Sequence, residues 1–89
     1  MLEKKITIIN KLGLHARAAA KLINTTSRFS CDVRLEKDDR EVDGKSIMSV
    51  MMLAASRGTE LTVKTQGEDQ DEALSAIEAL INNRFDEEE

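Results

Sequence analysis

The amino-acid sequence predicts one α+β domain, in which a single β-sheet carries all of its helices on one face. Its 89 residues are the length of one compact domain and leave no room for a second core. Apolar side chains alternate along four short stretches and recur at helical spacing along three others. These stretches follow one another as β-α-β-β-α-β-α, and right-handed crossovers then place the helices on the same side of the sheet.

The first predicted elements are a strand and a helix joined by a tight turn. Residues 5–9 alternate as a strand, which ends at residues 10–13. Gly13 permits a turn there, because glycine adopts backbone conformations that other residues disfavour. From about Ala16 to Arg28, small and apolar side chains recur at helical spacing. This stretch predicts a helix that lays one apolar stripe on the sheet.

A hairpin is predicted after the first helix. Cys31, Val33 and Leu35 alternate with polar residues and predict a strand with one buried face. The polar cluster at residues 37–40 predicts a turn into a short third strand around Val42.

The last predicted elements are a helix, a strand and a helix. Ser46 stands where an N-cap belongs, ahead of the apolar run 47–55, and Gly58 stands where a C′ residue would end the helix. Residues 61–65 alternate as a fourth strand, and Asp69 with Glu72 three residues later resembles a capping box for the third helix. The side chains that this helix is expected to bury are Ala73, Leu74, Ile77, Leu80 and Ile81.

Composition excludes several function classes. The single cysteine, Cys31, cannot form an internal disulfide, and no long apolar run predicts a signal peptide or a membrane span. A cytoplasmic protein with no membrane partner is therefore expected. One histidine and one cysteine are too few for a zinc site, so neither a metal nor another cofactor is expected.

Charge is unevenly distributed along the chain. The net charge of −4 equals the four carboxylates at residues 86–89. Between Lys4 and Cys31 lie basic residues and no acid, and such a stripe could attract nucleic acid. No aromatic residues interleave with it, however, so no nucleic-acid partner is expected, and an acidic protein surface is the favoured partner.

The chemistry of the chain is concentrated around its only histidine, His15, which a turn delivers to the start of the first helix. The first N–H groups of a helix, here those of Ala16, Arg17 and Ala18, lack partners and favour an anion. The Arg17 side chain adds a forked cation, and a neutral imidazole nitrogen is nucleophilic. No carboxylate lies near His15 in sequence, so the site is expected to be vacant for a phosphoryl group.

Other interpretations of these residues remain open. His15 could be a solvent-exposed or capping residue, in a protein-binding module or a small nucleic-acid binder. A hydrolytic pair with Cys31 is disfavoured, because Cys31 lies on the buried side of its strand. Ser46 is first of all an N-cap, although a phosphate there would also meet a helix N-terminus, which makes regulatory phosphorylation a second interpretation.

The second helix is unusually apolar for its length. A short helix cannot bury every side against one sheet face, so part of the run is expected to stay exposed. Methionine adapts to several surfaces, and we therefore predict a partner-binding patch at Ile47, Met48 and Met51, rimmed by Lys21 and Lys45.

Residues 10–19, with the sequence NKLGLHARAA, resemble the active-site segment of the histidine-containing phosphocarrier proteins (HPr) of the bacterial phosphotransferase system. Residues 45–48 support the match, and the resemblance extends to about Phe85. Sugar-transport members commonly carry proline where this chain has Ala18. The alanine-rich segment and residues 82–86 are more similar to the nitrogen-related branch, NPr.

The resemblance implies an open-faced β-sandwich with a four-stranded antiparallel sheet in the order 1-4-2-3. We expect a monomeric carrier, not an autonomous enzyme, with one domain over residues 1–85 and a disordered acidic tail over 86–89. Phosphorylated enzyme I, or its nitrogen-related counterpart, would pass a phosphoryl group from phosphoenolpyruvate to Nδ1 of His15, the pros nitrogen. An enzyme IIA-type protein would receive it. In some members the residue matching Ser46 is a regulatory kinase target.

Overall fold

The computed structural model describes residues 1–89 and contains four strands and three α-helices in the predicted order. A 3₁₀ turn follows the last helix. The elements are β1 Leu2–Thr7, α1 Ala16–Thr26, β2 Asp32–Lys37, β3 Arg40–Asp43, α2 Ile47–Met52, β4 Glu60–Gln66, α3 Gln70–Asn82 and the turn Arg84–Asp86.

The four strands form one antiparallel sheet in the order β1-β4-β2-β3. This order confirms the open-faced α+β sandwich that the resemblance implied. Burial alternates along β4, where Leu61, Val63 and Thr65 face inward, so that one side of the sheet packs on the helices. On the other side, the Lys64 ammonium lies between the carboxylates of Glu36 and Glu41, at 3.0 and 2.8 Å.

The core is aliphatic, as the composition requires, with one fully buried ring. Leu22 of α1 and Ile77 and Ile81 of α3 are fully buried against the inward-facing strand residues. Phe85 is also fully buried, although it follows α3 and lies in the 3₁₀ turn. This ring anchors to the core a part of the chain that lies beyond the last α-helix.

Two predicted elements have different bounds in the structure. The strand predicted at residues 5–9 is β1, Leu2–Thr7, because its register is set by pairing with β4, from Leu2 opposite Thr65 to Thr7 opposite Glu60. The second helix, predicted to continue until Gly58 ends it, ends at Met52. Ala54 takes a left-handed conformation, with φ of 53°, which stops the helix.

Asp69 does not cap α3 with its side chain, so the capping-box interpretation is wrong. Its carboxylate instead accepts hydrogen bonds from the main-chain N–H groups of Ser30 and Cys31, at 2.8 and 2.9 Å. These two N–H groups lie where the chain enters β2. A main-chain N–H that is removed from water needs an acceptor, and the Asp69 carboxylate provides it. Asp69 therefore ties the start of β2 to the start of α3.

We expect Asp69→Asn to lower the thermal midpoint of unfolding at neutral pH. The hydrogen bond from the Ser30 amide is the main cause that lowers the pKa of the Asp69 carboxyl below its ordinary value of 3.8. A lowered pKa stabilises the fold above that ordinary value, and the stabilisation is lost as the pH falls through the pKa of the folded state. Thermal unfolding from neutral to acidic pH should therefore show the two proteins converging in strong acid.

Asp71→Asn is the matched control, since Asp71 lies in the first turn of the same helix but is exposed and makes no hydrogen bond or ion pair with another side chain. It should leave both the midpoint and its pH dependence close to those of the wild type. An equal loss in the two variants would mean that helix electrostatics, not the bonds to Ser30 and Cys31, account for the effect.

Candidate functional site

His15 is the N-cap residue of α1, with φ of −73° and ψ of 179°. Its side chain is 29% exposed, so the ring is accessible and does not belong to the core. Nδ1 accepts a hydrogen bond from the N–H of Arg17 at 3.3 Å. Because a main-chain N–H can only donate, this contact requires a lone pair on Nδ1 and assigns the ring proton to Nε2.

The predicted phosphate-binding amides lie in the first turn of α1. Ala19 makes the first helical bond, to the carbonyl of His15 at 2.8 Å. The N–H groups of Ala16 and Ala18 precede it and donate to no protein acceptor. The guanidinium of Arg17 is exposed and likewise makes no hydrogen bond or ion pair. Two amides at the start of α1 and one cation are thus available to bind an anion.

The turn that presents His15 is packed against the chain after α2. Gly13 has a φ of 67°, and a Cβ atom at this position would lie 2.6 Å from the Ala55 carbonyl oxygen. The next residue, Leu14, is buried and donates its N–H to the same carbonyl at 2.8 Å. The fold therefore places residues 10–15, called the His15 loop below, directly beside the segment that follows α2.

A carboxylate that sequence reasoning missed lies on the other side of the ring. Nε2 of His15 donates to Oε2 of Glu87 at 2.5 Å, and Nδ2 of the buried Asn10 donates to Oε1 at 3.1 Å. No carboxylate lies near His15 in sequence, but the fold brings Glu87, 72 positions away, into contact with the ring. The anion site is nevertheless free, since Glu87 contacts Nε2 and leaves the amides beside Nδ1 unpartnered.

The polar contacts of Glu87 determine its ionisation. Burial alone would raise the pKa of the Glu87 carboxyl, but the hydrogen bonds from His15 and Asn10 and the charge of Lys21 outweigh it, so the pKa is lowered. Glu87 is therefore ionised and available as a partner for the Nε2 proton.

The acidic residues after Phe85 contact the chain around His15, and the disorder expected for residues 86–89 stays a prediction. Lys21 donates its ammonium to the Phe85 carbonyl at 2.8 Å, and the Lys11 N–H donates to the Glu89 carbonyl at 2.9 Å. The buried Phe85 ring provides the anchor. The missed signal was this single aromatic residue between the last helical stretch and the acids.

The residues of the predicted partner patch are exposed on α2. Ile47, Met48 and Met51 all remain accessible, and Met48 is 71% exposed. The two lysines of the predicted rim are engaged internally: Lys45 donates to the Phe29 carbonyl at 2.7 Å, and Lys21 donates to Phe85. A role in partner binding stays a prediction for all five residues.

Ser46 is the N-cap of α2, as predicted, and its hydroxyl accepts from the Ser49 N–H at 3.4 Å. Regulatory phosphorylation of Ser46 stays a prediction.

None of the helices has the length and the apolar composition that a membrane span requires. No group of three or more histidine, cysteine or acidic side chains is arranged to hold a metal ion.

A protein that carries phosphoryl groups on histidine needs an unprotonated ring nitrogen, unpartnered helix amides and an unpaired cation, and all three are present here. Comparison with known proteins identifies this class. A family model described as "PTS HPr component phosphorylation site" matches residues 2–83. The phosphocarrier protein HPr of Pseudomonas aeruginosa is 62% identical over 84 residues, which cover 93% of each chain.

Solved structures agree with this match. The structure of HPr-C-His from Thermoanaerobacter tengcongensis superposes over 100% of both chains, with a TM-score of 0.97 and 44% identity. A structure of an HPr dimer from the same organism covers 98% of this chain and 100% of that chain, with a TM-score of 0.79 and 44% identity. The chain belongs to the HPr family of the phosphotransferase system, and it is a phosphocarrier, not an autonomous enzyme.

Proposed function

We propose that this chain accepts a phosphoryl group on Nδ1 of His15 from phosphorylated enzyme I and donates it to an enzyme IIA-type protein. The observation that carries the proposal is the Nδ1 lone pair at the N-terminus of α1, where it accepts from the Arg17 N–H. The ring is accessible, and the N–H groups of Ala16 and Ala18 at the start of the helix are free to bind a phosphoryl oxygen.

The transfer step uses groups that are already in place. The Nδ1 lone pair attacks phosphorus, and the bond between phosphorus and the donor breaks with its electron pair leaving on the donor. The Arg17 N–H then loses its acceptor on Nδ1 and is free to bond a phosphoryl oxygen, as are the amides of Ala16 and Ala18. The exposed Arg17 guanidinium balances the remaining charge. Reversal of the same step delivers the group to the acceptor.

The docking surface for both partners is proposed to be the exposed side of α2, formed by Ile47, Met48 and Met51. The turn before His15 packs on Ala55, which follows this helix, so the patch and the ring lie on neighbouring segments of the fold. Unbranched methionine side chains can repack against more than one partner. Lys21 and Lys45 would contribute positive charge at the rim of the patch. The ammonium group of each also donates a hydrogen bond to a main-chain carbonyl.

We assign the carrier to the nitrogen-related branch, with sugar transport as the alternative. Ala18 replaces the proline of sugar-transport members and adds an N–H donor at the third position of α1. The relatives found by comparison are named HPr and not NPr. Ala18 and the similarity of residues 82–86 to NPr are therefore the support for this assignment.

We also propose that the carrier works as a cytoplasmic monomer. Both His15 and the α2 patch must be free to meet two partners in turn. Cys31 is a buried free thiol, which suits a reducing compartment. A dimer of an HPr homologue has been solved, so the assembly state of this chain is a matter for a sedimentation measurement.

A phosphotransfer assay tests this function. Incubation with phosphoenolpyruvate and enzyme I should add one acid-labile phosphoryl group, which then passes to an enzyme IIA-type acceptor. Parallel reactions with nitrogen-type and sugar-type pairs of enzyme I and IIA should favour the nitrogen-type pair. No labelling with either donor would contradict the carrier function, and faster transfer with the sugar-type pair would contradict the branch.

A further inference from the structure

Glu87 is held against His15 by both of its carboxylate oxygens. Oε2 accepts from Nε2 of His15, and Oε1 accepts from Nδ2 of Asn10. Asn10 is fully buried and also donates to the Gly13 carbonyl at 2.8 Å. One side chain thus connects the carboxylate to the turn that presents the ring, and this fixes Glu87 relative to His15.

The conformation of the main chain before Glu87 places this residue against His15. Arg84, Phe85 and Asp86 are all left-handed, with φ of 56°, 52° and 63°, and they turn the chain back from α3 toward α1. Buried Phe85 and its bond to the Lys21 ammonium secure this turn. The N–H of Glu87 closes it by donating to the Arg84 carbonyl at 2.9 Å.

The contacts on the two ring nitrogens are complementary. Nδ1 faces a donor, the Arg17 N–H, and Nε2 faces an acceptor, the Glu87 carboxylate. Only the tautomer with its proton on Nε2 satisfies both. A carboxylate that orients a histidine ring through one nitrogen, while the other nitrogen reacts, is an arrangement that recurs in catalytic sites.

We propose that Glu87 is a positioning residue for phosphoryl transfer, which holds the Nε2 proton and so keeps the Nδ1 lone pair directed at the N-terminus of α1. This role rests on the proposed function. In the transfer step, Nδ1 forms its bond to phosphorus and Nε2 keeps its proton, so the phosphorylated ring gains a positive charge. The ionised Glu87 balances that charge from the far side of the ring, where it is separated from the phosphoryl group.

A spectroscopic test addresses the contact itself. In ¹⁵N-labelled wild type, the Nε2 proton of His15 should give a downfield resonance that is protected from exchange with water. Glu87→Ala should lose this protection, and Glu87→Gln should keep a weaker form, because an amide oxygen can still accept. The matched control is Glu88→Ala, which removes the same charge one residue later from an exposed side chain that makes no ion pair. It should retain the wild-type signal.

A kinetic test addresses the role. Glu87→Ala should accept the phosphoryl group about tenfold more slowly than wild type, Glu87→Gln should be intermediate, and Glu88→Ala should stay within about twofold. Circular dichroism would check that all three variants are folded. Loss of the Nε2 signal together with slower acceptance supports the proposal.

Two other results overturn it. Unchanged acceptance by Glu87→Ala would show that the carboxylate does not act through His15, and faster acceptance would show that it obstructs the site. In both cases the carrier function stands, because the wild type is phosphorylated. A wild type that accepts no phosphoryl group at all would instead overturn the proposed function and, with it, this role for Glu87.

Discussion

His15→Asn is expected to abolish acid-labile phosphorylation, while the protein keeps its fold. The variant removes the only imidazole in the chain, and no other side chain offers a nitrogen nucleophile at the start of α1. Asparagine is chosen over alanine because it is among the best N-cap residues and can replace the acceptor for the Arg17 N–H. The change therefore separates the chemistry of the ring from its capping role.

The measurement combines mass spectrometry after incubation with phosphoenolpyruvate and enzyme I with thermal unfolding of both proteins. We expect background labelling in the variant and a stability within about 1 kcal/mol of wild type. Labelling of His15→Asn at the wild-type level would refute the assignment of His15 as the acceptor. Loss of both labelling and fold would be checked with His15→Gln, which keeps a longer polar side chain.

Gly13→Ala is expected to destabilise the protein by roughly 2–4 kcal/mol and to slow phosphoryl acceptance. The left-handed φ of 67° penalises any residue with a Cβ atom, and this Cβ would also lie 2.6 Å from the Ala55 carbonyl oxygen and 2.8 Å from the Ser56 Cα. Both of these atoms are main chain, so relief requires the His15 loop to move away from the segment after α2. Such a movement would displace the ring from its partners.

Gly58→Ala is the control for this prediction. Gly58 also has a left-handed φ, of 90°, but a Cβ there would have no atom within 4 Å. Gly58→Ala should lower the free energy of unfolding by roughly 1–2 kcal/mol, which is the penalty of a Cβ atom in the left-handed conformation alone. Phosphoryl acceptance should be unchanged. Chemical denaturation and the phosphotransfer assay measure the two effects. Equal losses of stability in the two variants would show that contact with Ala55 contributes nothing.

Much of the fold was predictable because it depends on local patterns. Alternation along residues 61–65 and helical spacing after Ala16 indicated β4 and α1, and Ser46 indicated the start of α2. Element ends were less predictable. The chain after α2 is also held by Lys37, whose ammonium donates to the carbonyls of Leu53 and Ala54 at 3.0 and 3.3 Å, and no local pattern contains that contact.

The carrier site was predictable in part for the same reason. His15 and the amides that follow it form one local unit, a glycine turn that runs into a helix, and their relation is set by helix geometry. Asp69 shows the limit of such reasoning. Its spacing from Glu72 matched a capping box, but the fold placed the Ser30 and Cys31 amides within its reach, and these tertiary partners replaced the local one.

By itself, the sequence determined the order of the elements, the reactive ring and the helix terminus beside it, since each of these follows from residues within a few positions of one another. Only the tertiary structure decided what faces the other side of the ring. Glu87 reaches His15 because Phe85 is buried and the chain turns back after α3, and a contact between residues 72 positions apart depends on the packing of the whole domain.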